Sequence, residues 1–161
     1  VLKKGKFDER IKFVSKLIDI TPNIKFDIYG ANNVQPVWAD NYLKAISNSK
    51  MGLNLSRGEP IKYYSSDRIT QIIGNGLVTL IDEKTHYRDF FNDDEMVFYK
   101  NLSDLSEKII KISKDDKLRK KIAKKGKTKY LKYFNSTEVA KYIILKTFEN
   151  KSKKNKFYWE N

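Results

Sequence analysis

The run Leu77–Ile81 (LVTLI) narrows the folds open to this chain more than any other stretch. It is short and almost continuously apolar, with Gly74-Asn75-Gly76 before it and Asp82 after it. A run of this kind suits a strand covered on both faces. Such strands belong to parallel sheets with helices packed above and below. The surrounding stretch Met51–Asp82 (MGLNLSRGEPIKYYSSDRITQIIGNGLVTLID) agrees. It reads as a strand, a polar loop, a short helix, a Gly-flanked turn and a second strand.

The rest of the chain supplies more of the same alternation. Ile11, Val14, Leu17 and Ile18 recur at helical spacing and predict a helix over Asp8–Ile20, stopped by Thr21-Pro22. Ile24–Tyr29 (IKFDIY) alternates apolar and polar residues, which predicts a strand ending at Gly30. A short helix follows over Trp38–Asn48, with Tyr42, Leu43 and Ile46 on its apolar face. Strands are expected at Lys50–Leu55 and Glu95–Tyr99, a helix at Ser66–Asn75, and a helical turn at Tyr87–Phe91. Beyond residue 100 the pattern is helical throughout. Leu102, Leu105, Ile109 and Ile112 mark one helix, capped by Ser103 and Asp104. Leu118, Ile122, Tyr130 and Phe134 mark a second. Ser136 is expected to cap a third, with Val139, Ile143 and Phe148 facing inward. The expected fold class is therefore α/β: a Rossmann-like parallel sheet flanked by helices, with a helical C-terminal third. The expected organisation is one domain over residues 1–150 and a charged tail over 151–161, frayed apart from its aromatics. The chain opens on a helix where such domains usually open on a strand. It is therefore expected to be a piece of a longer protein, or to have a reduced first strand.

Composition removes several classes. There is no Cys, so neither a disulfide framework nor a thiolate zinc site is available. His86 is the sole histidine, which excludes a multi-His metal cluster. Asp93-Asp94-Glu95 reads as a turn before a strand, and no metal site is assigned. Neither a phosphate-binding Walker A loop nor a G-x-G-x-x-G fingerprint occurs, and no Gly-x-Ser-x-Gly elbow supports a hydrolase triad. No apolar run reaches the roughly 20 residues that span a bilayer. The N-terminal VLKKGKFDER has no apolar core of the signal-peptide type. The net charge of +13 is concentrated at one end. From Lys111 to Asn161 there are 17 Lys and Arg against 5 Asp and Glu, whereas the first 110 residues are nearly balanced. This basicity suits a solvated helix face or an anionic membrane surface. It carries no base-reading device, so no nucleic acid is expected.

The polar residues of the central segment gather where an open α/β sheet binds an anionic ligand. Ser65, Ser66 and Asp67 stand at the start of a helix, whose free N–H groups and dipole favour phosphate. Arg57 and Arg68 are placed to reach the same group, and an arginine fork binds phosphate oxygens bidentately. Gly58 lets the loop approach a ligand closely. Gln71 lies one turn beyond Asp67, so both share a helix face and either can accept from a hydroxyl. Ser66 and Asp67 also form an ordinary cap pair. Gly74 and Gly76 read as a helix terminus and turn.

SSDRITQIIGNGLVTLID, then THYRDFF, VFYKNLSDLSEKI and DDKLRKKIAKKGKTKYLKYFNSTEVAKYI, resembles the C-terminal donor-binding domain of GT-B glycosyltransferases. The likeness is to the "glycosyl transferases group 1" branch that includes CgeB-like proteins, and it covers roughly Phe7 to Lys151. Those proteins carry an R-x-F-E-x-x-A-x-G helix between two strands. The resemblance implies half of a GT-B fold that binds a nucleotide-diphospho-sugar as donor, with no other cofactor and no obligatory metal. Arg68 matches the motif Arg, and Arg57 and Arg68 become the catalytic candidates. Gln71 stands where the family usually has the Glu that binds the ribose. Ser56, Arg57 and Ser66 fall on the diphosphate side, Gly30 and Ala31 where the base packs, and Tyr63 and Tyr64 near the sugar or base. His86 falls at a strand end, either as an exposed loop residue or as a contact to the donor sugar. The implied partner is an N-terminal acceptor-binding domain of the same protein, without which this chain is expected not to turn over. The implied acceptor is a surface polysaccharide, lipopolysaccharide or protein glycan, and the implied location is cytoplasmic, at most peripheral at the inner membrane face. The alternatives are a non-enzymatic basic module for nucleic acid or an acidic partner, and a degenerate domain without donor binding.

Overall fold

The computed structural model describes residues 9–31, 33–56, 58–64, 66–148 and 157–160. In chain order these form α1 (Glu9–Ile20), α2 (Ala39–Ser47), β1 (Met51–Asn54), α3 (Asp67–Gly74), β2 (Val78–Asp82), β3 (Val97–Tyr99), α4 (Leu102–Lys114), α5 (Asp116–Tyr133) and α6 (Ser136–Thr147). The three strands make one parallel sheet in the order β1-β2-β3. Leu53 sits opposite Leu80, and Leu80 opposite Val97. β2 is central, and its first four residues are all buried, as its apolar run requires.

Alternation along the strands sends side chains to two separate cores. Val78, Leu80, Val97 and Tyr99 meet Leu17 of α1, Leu105, Ile109 and Ile112 of α4, and Ile122 of α5. Ile81 and Phe98 point the other way, into Ile69 and Ile73 of α3 with Tyr87, Phe91 and Met96. Two glycines set how close the helices come. A Cβ on Gly52 would lie 2.6 Å from Ile72, so β1 and α3 need a bare backbone there. A Cβ on Gly126 would lie 2.2 Å from the Glu95 carbonyl oxygen, so α5 presses directly on the turn before β3.

Several sequence expectations are corrected. Ile24–Tyr29 keeps the alternation, with Ile24, Phe26 and Ile28 half-buried, but it is not a strand of the sheet. Ile24 and Phe26 pack on the α1–α4 core. The apolar period was satisfied by packing alone, without ladder hydrogen bonds. The cap of α4 is Asn101, whose side chain accepts from the Asp104 N–H, while Asp104 accepts from the Lys100 N–H. Ser103 instead donates to Glu107. The cap of α6 is Asn135, one residue before Ser136. Val139, Ile143 and Phe148 are exposed, and it is Tyr142 and Leu145 that turn inward. On α2, Leu43 is exposed while Tyr42 and Ile46 are half-buried. The ending of α3 is as read: Gly76 (φ 79°) donates to the Ile73 carbonyl and Leu77 to the Ile72 carbonyl, a Schellman closure.

Candidate functional site

Parallel strands all point their carboxyl ends to one edge, and the loops that leave β1 and β2 meet there. The loop after β1 is fastened to the turn after β2. The Tyr63 N–H donates to the Thr85 carbonyl at 2.9 Å, and the Tyr63 hydroxyl donates to Asp89. The Tyr63 ring packs on Phe90 with centroids 5.0 Å apart and meets His86 edge-on at 6.5 Å. Both Tyr63 (φ 59°) and His86 (φ 59°) hold the left-handed conformation, which non-glycine residues seldom adopt. The β2 turn is itself closed locally: Asp82 accepts from the Lys84 N–H at 2.9 Å, and Thr85 donates to the Asp82 carbonyl at 2.6 Å.

The start of α3 faces this junction. Ser66 occupies its cap position with an extended backbone, yet its side chain makes no capping hydrogen bond. Its hydroxyl is aimed instead at Asn54 Oδ1, at 3.5 Å, and Asn54 is the buried last residue of β1. By contrast, the caps Asn101, Asp115 and Asn135 of α4, α5 and α6 each close on a backbone N–H of their own helix. Arg68, in the first turn of α3, reaches back so that Nη1 donates to the Leu55 carbonyl at 2.7 Å. This bond spends one of five guanidinium donors and fixes the fork beside the β1 end. The first turn of α3 thus combines uncapped backbone donors with an anchored arginine, an arrangement suited to an anion.

Ser56, Gly58, Tyr64, Ser66, Asp67 and Arg68 therefore share one edge of the sheet. Ser56 is half-buried just past β1. Gly58 has φ 88° with open space around the position of a Cβ, so its need for glycine is conformational. Tyr64 and Asp67 are exposed. Gln71 is half-buried one turn deeper in α3; its backbone carbonyl accepts from the Asn75 side chain, and its own side chain makes no hydrogen bond among the described residues. Arg57 and Ser65 lie outside the described residues. Gly30 is not brought to this group by its bonds. Its N–H donates to Val34 O within its own turn, at φ 74°. With Ile24–Tyr29 outside the sheet, Gly30 and Ala31 do not stand at a strand end.

Sequence reasoning passed over Asn54 and Asp89. Asn54 was legible as the polar residue that breaks an apolar strand at its carboxyl end. Asp89 carried no signal, since only the fold brings it to Tyr63. Arg88, equally basic and nearby, is withdrawn from the site. It pairs bidentately with Asp93 and stacks over the Phe98 ring at 4.4 Å.

No curated protein and no solved structure matches this sequence. The family model described as glycosyl transferase-like matches residues 10–144, which include the whole sheet, α3 and the loops around it, and the chain belongs to that glycosyl transferase-like family.

Proposed function

We propose that the chain is the donor-binding half of a GT-B glycosyltransferase of the group 1, CgeB-like branch, and that the edge around α3 holds the diphosphate of a nucleotide sugar. The observation that carries the reading is the start of α3, where an uncapped helix terminus and the anchored Arg68 stand together at the carboxyl end of β1. Membership of a glycosyl transferase-like family gives that anion site its chemistry. Breaking the bond between sugar and diphosphate leaves negative charge on the departing phosphate. Fixed N–H donors and a guanidinium lower the barrier by stabilising that charge as it develops, and no step requires a metal. Arg57 and Ser65, which lie outside the described residues, are assigned to the same diphosphate from the sequence alone, Ser56 and Gly58 to the loop beside it, and Gln71 and Asp67 to the ribose hydroxyls. Tyr64 and His86 lie toward the sugar. The acceptor, a surface polysaccharide, lipopolysaccharide or protein glycan, is held by a separate N-terminal domain, and the work is done on the cytoplasmic side.

Titration of the ¹⁵N-labelled chain with UDP, GDP and their sugars tests this. Amide shifts should centre on Ser66, Asp67 and Arg68. Arg68→Ala should weaken binding roughly ten- to hundredfold, the worth of a charge-assisted hydrogen bond. No shifts in that region at millimolar ligand would sink the reading.

A further inference from the structure

α5 carries nine Lys and Arg against one Asp. Three of these cations are matched within the fold: Arg119 with Asp116 at 3.0 Å, Lys125 with Asp94 at 2.6 Å, and Lys129 with Glu95 at 2.8 Å. Lys117, Lys120, Lys121 and Lys124 are exposed, and none makes an ion pair among the described residues. Lys120 and Lys121 sense Asp116 and Asp94 only at longer range. The four lysines are three and four residues apart, so they are neighbours on one helix face. Like charges at that spacing destabilise a helix on its own. Among the described residues no carboxylate pairs directly with this face, and only Asp116 and Asp94 act on it from a distance, so its charge is left largely unmatched, which points to an anionic surface outside the chain.

The same stripe then turns apolar. Leu131, seven residues beyond Lys124 and so on the same face, is 49% exposed. The next helix also leaves apolar side chains in solvent. Val139, Ile143 and Ile144 of α6 and Phe148 at its C-terminal cap are all exposed, beside Lys141 and Lys146, which pair with Glu138 and Glu160. A lysine band continued by exposed aliphatic and aromatic side chains matches the layered chemistry of a bilayer surface, with anionic headgroups outside and hydrocarbon beneath. A nucleic acid would give the aliphatic side chains nothing to enter. The tyrosines of α5 are not free to stack on bases either: Tyr130 stacks on Phe134 and Tyr133 on Tyr158. Among the described residues no helix is long and apolar enough to cross a membrane.

We infer that α5 and α6 form a docking surface for an anionic lipid bilayer, with Lys117, Lys120, Lys121 and Lys124 among the headgroups and the exposed face of α6 at their inner boundary. Each lysine held near such a surface strengthens partitioning about fivefold. The attraction weakens as salt shortens its range.

The test is co-sedimentation of the full chain with phosphatidylcholine vesicles in which about a third of the lipid is phosphatidylglycerol, against vesicles of phosphatidylcholine alone. The expected result is binding to the anionic vesicles only, weakened by added salt. Lys120→Gln with Lys124→Gln should lower the partition coefficient about 25-fold, and Lys117→Gln with Lys121→Gln should do the same. Ile143→Ser with Ile144→Ser should weaken binding while leaving its salt dependence intact. Arg68→Ala should bind vesicles like the parent, and circular dichroism confirms that each variant is folded. Equal sedimentation with both vesicle types, or unchanged binding in both lysine variants, would overturn the inference. So would retention by an RNA duplex without any retention by the anionic vesicles.

Discussion

Gly126 shows how much one hydrogen atom decides in this protein. With the Glu95 carbonyl oxygen only 2.2 Å from where a Cβ would stand, Gly126→Ala must move α5 off the turn before β3. Overpacking of that kind costs about 1–3 kcal/mol, and a lower urea midpoint would show it. At the site, Gln71 is the position whose chemistry is most open to change. Its side chain has no partner among the described residues, and it is half-buried in α3 one turn from Asp67. Gln71→Glu should tighten binding of a nucleotide sugar severalfold, because a hydroxyl bonds a carboxylate more strongly than an amide. Isothermal titration would decide this, and weaker binding would remove Gln71 from the ribose contact. Single residues were unevenly legible. Ser66 and Arg68 announced themselves by standing at a helix start. Asp89 did not, since its bond to Tyr63 spans 26 positions and exists only once β1 and β2 are side by side.

At the scale of elements, α4 is a helix whose stability is tied to pH through Asp104. Burial of Asp104 raises its carboxyl affinity for protons. The bonds from Lys108 and from the Lys100 N–H outweigh this, so its pKa sits below the ordinary 3.8. A depressed carboxyl contributes stability in full above its unfolded value and loses it as pH falls through the folded one. Asp104→Asn should therefore be less stable than the parent at neutral pH, and the gap should close in acid below the ordinary value. Urea midpoints taken across pH would test it, and a gap that persists in acid would contradict it. Helices and strands with a strong apolar period were readable in advance, α3, α4 and β2 above all. Two of the corrected readings failed for related reasons. Ile24–Tyr29 alternates like a strand, but alternation reports which side is covered and says nothing of whether a ladder forms. α6 has apolar residues on most of its circumference. Periodicity could not choose the face, and packing chose Tyr142 and Leu145.

For the whole molecule, closure comes from the last described residues. Phe157 is buried, and Phe157, Tyr158 and Trp159 stack among Tyr133, Phe134 and Tyr142. Tyr158 also donates to the Phe90 carbonyl at 2.9 Å, across 68 positions, and Lys146 pairs with Glu160 at 2.6 Å. This segment ties α5 and α6 to the loop after β2, the loop that carries Tyr87 and Phe91 into the second core. Phe157→Ala should cost about 3 kcal/mol and broaden amide signals around Phe90. Thermal melts that match the parent would show that the segment is merely laid on.

The order of elements, the parallel sheet around Leu77–Ile81, the helix start at Ser66 and the one-sided charge were all determined by the sequence itself. They depend on local propensity, periodicity and composition, which act between near neighbours along the chain. Tertiary structure alone decided that Ile24–Tyr29 stays outside the ladder and that Asn54, Tyr63 and Asp89 meet at one edge. It also decided that Arg88 is spent on Asp93, and that Lys117, Lys120, Lys121 and Lys124 of α5 stand in solvent. Those outcomes depend on which surfaces come together across long separations, and no local period encodes the partner a side chain will find.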